Sequence, residues 1–178
     1  MRIPTAPTVD FLNISLRQLE RTDVKAWYAY LSNSEVTQHT SWNLRAEEDL
    51  FPMFDEIDST QPSSIRRLAI INQASGDLIG TIGFHSISEA NRSAEIAYDL
   101  APAYWGKGIA SAVCSSVTQW AFTEYGFIRV QGTVLETNRG SAKVLVKCGF
   151  QYEGKLRSFR MVRGRPGNFE MYAILNTD

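Results

Sequence analysis

One stretch constrains the fold of this chain more than any other, and it runs from Ala94 to Leu135. "AEIAYDL" (Ala94 to Leu100) alternates apolar and polar side chains with a period of two, as a strand covered on one face does. Pro102 then ends the ladder, because it has no N–H to donate. "YWGKG" (Tyr104 to Gly108) turns the chain, a helix pattern runs from Ile109 to Tyr125, and a second strand-like run covers Ile128 to Leu135. A strand, a helix and a strand in that order close with a right-handed crossover, which makes the two strands parallel. A parallel pair needs helices over its faces, so the pair belongs in the middle of a larger sheet.

The remaining segments supply that sheet. Strands are expected at Val9 to Leu16, Arg67 to Ile71, Leu78 to Ile87, Phe150 to Val162 and Phe169 to Leu175, with "ASGD", "SEANRS" and "RGRPGN" as turns. A helix capped by Thr22 or Asp23 runs through Trp27, Tyr28 and Leu31. Another covers Glu47 to Ile57, with a kink or a later start at Pro52. A last one begins at Asn138 and ends at Gly149. The order reads as a mixed α/β (α+β) fold: a mostly antiparallel, seven-stranded sheet with a central parallel pair and about four flanking helices. A chain of 178 residues with 44% apolar and 21% charged side chains is expected to form one domain, residues 1–178. The formal net charge of -1 argues against direct nucleic-acid binding, which needs a basic patch. No apolar run reaches the length of a membrane span, and the first residues carry no apolar signal core. Cys114 and Cys148 read as buried free thiols, which suits a reducing cytoplasm.

The turn before the long helix carries the first chemical signal. Gly106 and Gly108 have no side chains, so a ligand could approach the backbone closely. The first N–H groups of a helix have no intrahelical partners, and the helix dipole adds partial positive charge there. Such a terminus receives a phosphate or pyrophosphate. Lys107 could add a charge, although a lysine beside glycines is commonly just solvated. The spacing alone is weak: Ser111 stands where a dinucleotide fingerprint wants its third glycine, and no triphosphate-loop pattern is present.

Longer stretches carry more. "SAEIAYDLAPAYWGKGIASAV" and "ETNRGSAKVLVKCGFQYEGKLR" resemble the GNAT superfamily of acyl-CoA-dependent N-acetyltransferases, and most nearly its RimJ/RimL type, which acetylates protein N-termini. The superfamily loop Gln/Arg-x-x-Gly-x-Gly/Ala falls on Trp105, Gly108 and Ala110, with Trp105 in place of Gln or Arg. The "GF-x-x-E-G" element is present as Gly149, Phe150, Glu153 and Gly154. The resemblance implies a single GNAT-like domain with a splayed parallel pair, and acetyl-CoA as cofactor. Its pyrophosphate would lie on Trp105, Gly106, Lys107, Gly108, Ile109 and Ala110. Its pantetheine arm would pair with the backbone near Tyr98, Asp99 and Leu100 and meet Asn138 and Ser141. Asn138 equally suits a helix N-cap, and both roles are compatible.

Acetyl transfer needs a neutral amine, a polarised carbonyl and a proton or hydrogen bond for the leaving sulfur. Many superfamily members use a tyrosine for the sulfur. Leu145 stands at that position here, and the resemblance to the RimJ/RimL type points instead to Ser141. That type's glutamate base is replaced by Arg160, leaving Glu95, Asp99, Glu136, Glu153, Glu170 and His85 as candidates, with Glu95 first because it alternates with Ile96 on a central strand. A paired structural carboxylate is an equally good reading of Glu95. A protein α-amine has a pKa near ~8 against about 10.4 for lysine, so it needs little help from a base. The expectation is therefore that no side chain acts as a strong dedicated base and that the acceptor is an α-amine, a ribosomal or other protein N-terminus. The alternatives are a polyamine, amino compound or antibiotic as acceptor, or a non-catalytic acyl-CoA-binding module. The acceptor pocket is expected from Trp27, His39, Trp42, the segment 88–93 and the hairpin 157–169, with Trp42, His85 and Arg160 touching substrate. The four arginines of that hairpin could equally form a solvated face. No metal site is expected, and a homodimer is compatible with this reading.

Overall fold

In the structure, a computed structural model of the chain, residue 3 and residues 5–38 and 40–178 are described. His39, expected in the acceptor pocket, lies outside the described residues. Seven strands form one sheet in the order β1-β2-β3-β4-β5-β7-β6: β1 (Ile14–Gln18), β2 (Arg66–Asn72), β3 (Leu78–Ser88), β4 (Ser93–Leu100), β5 (Arg129–Leu135), β6 (Gln151–Val162) and β7 (Arg165–Leu175). Every pairing is antiparallel except β4 with β5, which is parallel as the crossover demands.

Helices cover both faces. On one face lie α1 (Val24–Leu31), α2 (Ser34–Thr37) and α3 (Phe51–Asp58), where Trp27, Leu31, Phe54 and Ile57 pack down on Ala69. On the other lie α4 (Ile109–Glu124) and α5 (Arg139–Lys147), whose Val113, Val117 and Leu145 pack against Leu68, Ile82, Ile96 and Val130. The period of two in "SAEIAYDL" divides the molecule: Ala94, Ile96 and Leu100 enter the α4–α5 core, and Glu95 and Asp99 face the α1–α3 side.

Several boundaries differ from the sequence reading, each for a local reason. The first strand begins later than Val9, because Asn13 takes a left-handed φ of 60° and Ile14 N–H bonds Phe11 C=O at 3.2 Å, turning the chain just before β1. Glu47–Leu50 is a 3-10 turn and α3 starts after it, with Pro52 in its first turn, where a missing N–H costs nothing. Helix α2, one turn capped by the Asn33 side chain, adds a fifth helix. The β6–β7 turn shrinks to Arg163 and Gly164, both at positive φ (48° and 76°), so Pro166 sits within the ladder opposite Met161.

The parallel pair opens like a V. Pairing of β4 with β5 is confined to Ser93 with Arg129, Ala94 with Val130 and Glu95 with Gln131. Beyond Glu95 the strands separate. Ala101 N–H bonds Ile79 C=O across β3, so alternation turns Asp99 and Ala97 toward β3 and leaves the N–H and C=O groups of Ile96 and Tyr98 facing the gap. Backbone groups facing a gap of this kind can pair with an extended ligand, as a sheet edge pairs with an added strand.

Candidate active site

Two cavities meet at this gap. One, of about 630 Å³, is lined by the turn before α4 (Tyr104, Trp105, Gly106, Gly108, Ile109, Ala110), by Leu100, and by α5 residues Arg139, Gly140, Lys143 and Lys147. The other, of about 570 Å³, lies on the α1–α3 side and is lined by Trp42, Arg67, His85, Glu95, Ile96, Thr133, Arg160 and Phe169. Tyr98, Asp99, Asn138 and Ser141 line both, so a molecule in one can reach a molecule in the other there. Both volumes are in the range of small-molecule sites.

The turn before α4 has the form an anion site needs. Gly106 and Gly108 hold φ of 72° and 85°, a region side chains rarely adopt, and nothing lies within 4 Å of where a Cβ on Gly106 would stand. Gly108 is the α4 N-cap, and the N–H groups of Ile109, Ala110 and Ser111 follow it with no intrahelical partner. Trp105 has a structural role: its Nε1–H donates to Leu100 C=O at 2.8 Å and ties the turn to the end of β4. That carbonyl is thereby engaged, and of the three expected backbone positions Tyr98 faces the gap, joined by Ile96, which the sequence reading did not name. Lys107 does not line the cavity; its Nζ stands 5.3 Å over the Tyr104 ring. Arg139, Lys143 and Lys147 do line it, as the four-residue spacing in "RGSAKVLVK" permits on one helix face. The sequence reading passed over them, though their spacing was the available signal.

At the junction, Asn138 caps α5: its Oδ1 accepts Ser141 N–H at 3.1 Å, leaving its Nδ2 donors for a ligand. Tyr98 reaches from β4 to α5 and donates its hydroxyl to Ser141 C=O at 3.0 Å. Burial pushes the Tyr98 hydroxyl well above its usual pKa, so it stays protonated. Leu145, buried against Gly132, carries no polar group.

On the acceptor side each carboxylate already has a cation. Asp99, whose backbone is the part expected near the cofactor, has its carboxylate held by partners on β2, β3 and α1. The carboxylate accepts from Arg67 Nη2 at 2.6 Å, Thr81 Oγ1 at 2.8 Å and Trp27 Nε1 at 3.3 Å, and also from the Tyr30 hydroxyl. Glu95 is 4% exposed. It accepts from the Thr133 hydroxyl and from Arg160 Nη2 at 3.1 and 3.2 Å, and its Oε1 lies 3.5 Å from His85 Nε2. Burial raises its pKa, but the His85 and Thr133 hydrogen bonds and the His85 and Arg160 charges outweigh that and hold it at about 2. A carboxylate so paired makes a poor general base, and its partners match the reading of Glu95 as a paired structural carboxylate. The other carboxylates are engaged elsewhere: Glu136 with Lys155 at 2.5 Å, Glu153 with Arg129 at 2.6 Å and Glu170 with Arg139 at 3.4 Å.

Trp42, His85 and Arg160 fall in the acceptor cavity as expected; Trp27 stands behind it, edge-on to Trp42 at 5.9 Å. The segment 88–93 does not line it, because it forms the β3–β4 turn at the far end, where Arg92 Nε donates to Gly126 C=O at 2.8 Å. The arginines of the hairpin divide. Arg160 binds Glu95, and Arg163 donates to Thr37 C=O at 2.8 Å beside the cavity mouth, while Arg157 and Arg165 are exposed. Cys114 is buried and Cys148 half-buried, both free thiols.

The ionisation of Glu95 sets a pH dependence of stability. Its pKa is lowered on folding from 4.5 to about 2, so its contribution is present above pH 4.5 and is lost as pH falls through that window. The shift corresponds to about 3 kcal/mol. Urea unfolding of Glu95→Gln between pH 2 and 6 should show a shallower acid loss than wild type; equal slopes would contradict the pairing.

Among the described residues no helix is long and apolar enough to cross a membrane, and no group of three or more His, Cys, Asp or Glu is placed to hold a metal ion. The acetyltransferase (GNAT) domain family matches residues 13–151. An uncharacterized N-acetyltransferase of Bacillus subtilis, YoaA, is 34% identical over 171 residues, covering 95% of this chain and 97% of that protein. Spermidine N(1)-acetyltransferase of Vibrio cholerae is 26% identical over 92% of this chain and 94% of its own length. The crystal structure of a ribosomal-protein-S5-alanine acetyltransferase from Vibrio fischeri shares the fold, with a TM-score of 0.80 at 18% identity over 97% of this chain and 98% of that one. The chain belongs to the acetyltransferase (GNAT) domain family, and is thus an N-acetyltransferase that draws its acetyl group from acetyl-CoA.

Proposed function

We propose that this enzyme acetylates the α-amine of a peptide or protein N-terminus, in the manner of the RimJ/RimL type. The observation that carries the reading is the charge balance of the acceptor cavity. Arg67 faces Asp99 at 2.6 Å and Arg160 faces Glu95 at 3.1 Å. A polyamine carries several positive charges and would want carboxylates without resident cations. A peptide N-terminus offers one amine and a chain of neutral amides, which such a cavity can accept.

The donor cleft fits acetyl-CoA. The N–H groups after Gly108 would hold the pyrophosphate, and Lys143 and Lys147 would add charge for its phosphates. The backbone of Ile96 and Tyr98 would pair with the pantetheine amides, and Asn138 Nδ2 would donate to one of them. Acetyl-CoA supplies an activated acyl group. The Ile96 or Tyr98 N–H facing the gap would polarise its carbonyl, and the Ser141 hydroxyl would hydrogen-bond the departing sulfur. Trp42 and the cavity wall exclude water.

Ser141→Ala should therefore lower kcat by about tenfold or more while changing acetyl-CoA affinity little, since the contact strengthens in the transition state. Steady-state kinetics beside calorimetry reads both, and an unchanged kcat removes Ser141 from the chemistry. The acceptor is tested by offering defined peptides, spermidine and aminoglycosides and locating the acetyl group by mass spectrometry. Acetyl on the peptide α-amine supports the reading; acetyl on spermidine alone overturns it.

A further inference from the structure

Glu95 lines the cavity, yet its carboxylate is already paired. Thr133 and Arg160 donate to it, and it is buried. The remaining neighbour is His85. It stands on β3 directly opposite Glu95 in the ladder, so both side chains leave the sheet on the same face. The His85 side chain is 29% exposed and lines the acceptor cavity, whereas that of Glu95 is 5% exposed. Its Nε2 lies 3.5 Å from Glu95 Oε1. A carboxylate at that edge favours the tautomer with hydrogen on Nε2 and leaves the Nδ1 lone pair available as an acceptor.

We propose that His85 takes the proton from the acceptor amine and that Glu95 is its positioning residue, fixing the imidazole tautomer through Nε2. This rests on the acetyl-transfer reading of the cavity but not on which amine is the acceptor. As the C–N bond forms, the amine nitrogen gives one proton to neutral His85. The sulfur leaves with the electron pair of the C–S bond and takes up one proton, and the imidazolium returns its own to solvent. Among the described residues, the other charged groups lining the cavity are Glu95 and Asp99 from β4, Arg67 from β2 and Arg160 from β6. Each arginine is already matched to a carboxylate, at 2.6 Å for Arg67 and 3.1 Å for Arg160. His85 is thus the proton-accepting side chain on this cavity wall that is not held in an Arg–carboxylate pair. This differs from the expectation, drawn from the sequence, that no side chain acts as a strong dedicated base.

The test compares two measurements on the full chain. The first is the pH profile of kcat/KM for wild type, His85→Gln, Glu95→Gln and Glu95→Asp, using whichever amine proves to be acetylated. The second is a ¹⁵N NMR titration of the histidine rings in the free protein, which needs no acceptor. The chain has 2 histidines, and His39→Gln assigns their signals. The expected result is a kinetic inflection that coincides with the NMR midpoint of His85, and a neutral ring carrying its hydrogen on Nε2. His85→Gln should abolish the inflection and lower kcat/KM at pH 7 by about a hundredfold. Glu95→Gln should move the kinetic and NMR midpoints together, and Glu95→Asp should restore them in part. If His85→Gln does not fold, the coincidence of midpoints and their joint movement in Glu95→Gln decide. A loss below about threefold in folded His85→Gln, an inflection that follows His39, or midpoints that move independently would overturn the proposal.

Discussion

Gly108→Asp should weaken acetyl-CoA binding by far more than tenfold, a loss well over ~1.4 kcal/mol, while the protein stays folded. Gly108 is the N-cap of α4 at φ 85°, and a Cβ there would meet only Phe11 Cε2, at an ordinary 3.7 Å. Aspartate tolerates this left-handed region better than most side chains and is itself a favoured N-cap. The substitution therefore carries some backbone strain but meets no steric clash. It also fills the terminus with an internal carboxylate, which repels the pyrophosphate and competes for the same N–H groups. Gly108→Asn places the same shape there without the charge and should lose much less. Calorimetry with acetyl-CoA on both variants separates charge from shape, and undiminished binding to folded Gly108→Asp would refute the anion site.

Asp99→Ala should destabilise the fold by about 3–5 kcal/mol, the usual cost of removing one partner from a buried ion pair. The Arg67 and Asp99 side chains are 6% and 7% exposed, so Arg67 would be left charged and buried. Trp27, Thr81 and Tyr30 would lose their shared acceptor at the same time. The effect belongs to stability first, because the carboxylate is taken up by Arg67, Thr81, Trp27 and Tyr30. Thermal and urea unfolding beside acetyl-CoA calorimetry read stability and cofactor affinity separately. A variant as stable as wild type would contradict the structural role of the buried pair.

What could be read ahead of the structure was local in the chain. Alternation in "SAEIAYDL" gave both faces of β4, and the turn at Gly106 and Gly108 announced the α4 terminus, since both rest on residues a few positions apart. The parallel pair followed from handedness. Partnerships across the sheet were not legible. Nothing in the order of residues says that Arg67 meets Asp99 or that Arg160 meets Glu95, because each joins strands distant in sequence. Arg66 and Arg67 opening an otherwise apolar strand were a signal that buried cations needed partners, but not which ones. Strand neighbours point to opposite faces, so Tyr98 could not announce the partners that the Asp99 side chain finds on β2 and α1. The segment 88–93 looked near the cavity only while the lengths of β3 and β4 were unknown.

A cavity whose carboxylates already hold arginines should select a singly charged, low-pKa amine. The most direct test is the ratio of kcat/KM for a peptide N-terminus and for spermidine, measured in one competition at pH 7. At that pH the neutral fraction alone favours an amine of pKa near ~8 over one near 10.4 by roughly two hundredfold. The account predicts that the peptide is preferred by at least about tenfold, and that Arg160→Ala, which strips Glu95 of its cation, narrows the ratio. Spermidine turned over as well as the peptide, or better, by the wild-type enzyme would contradict it.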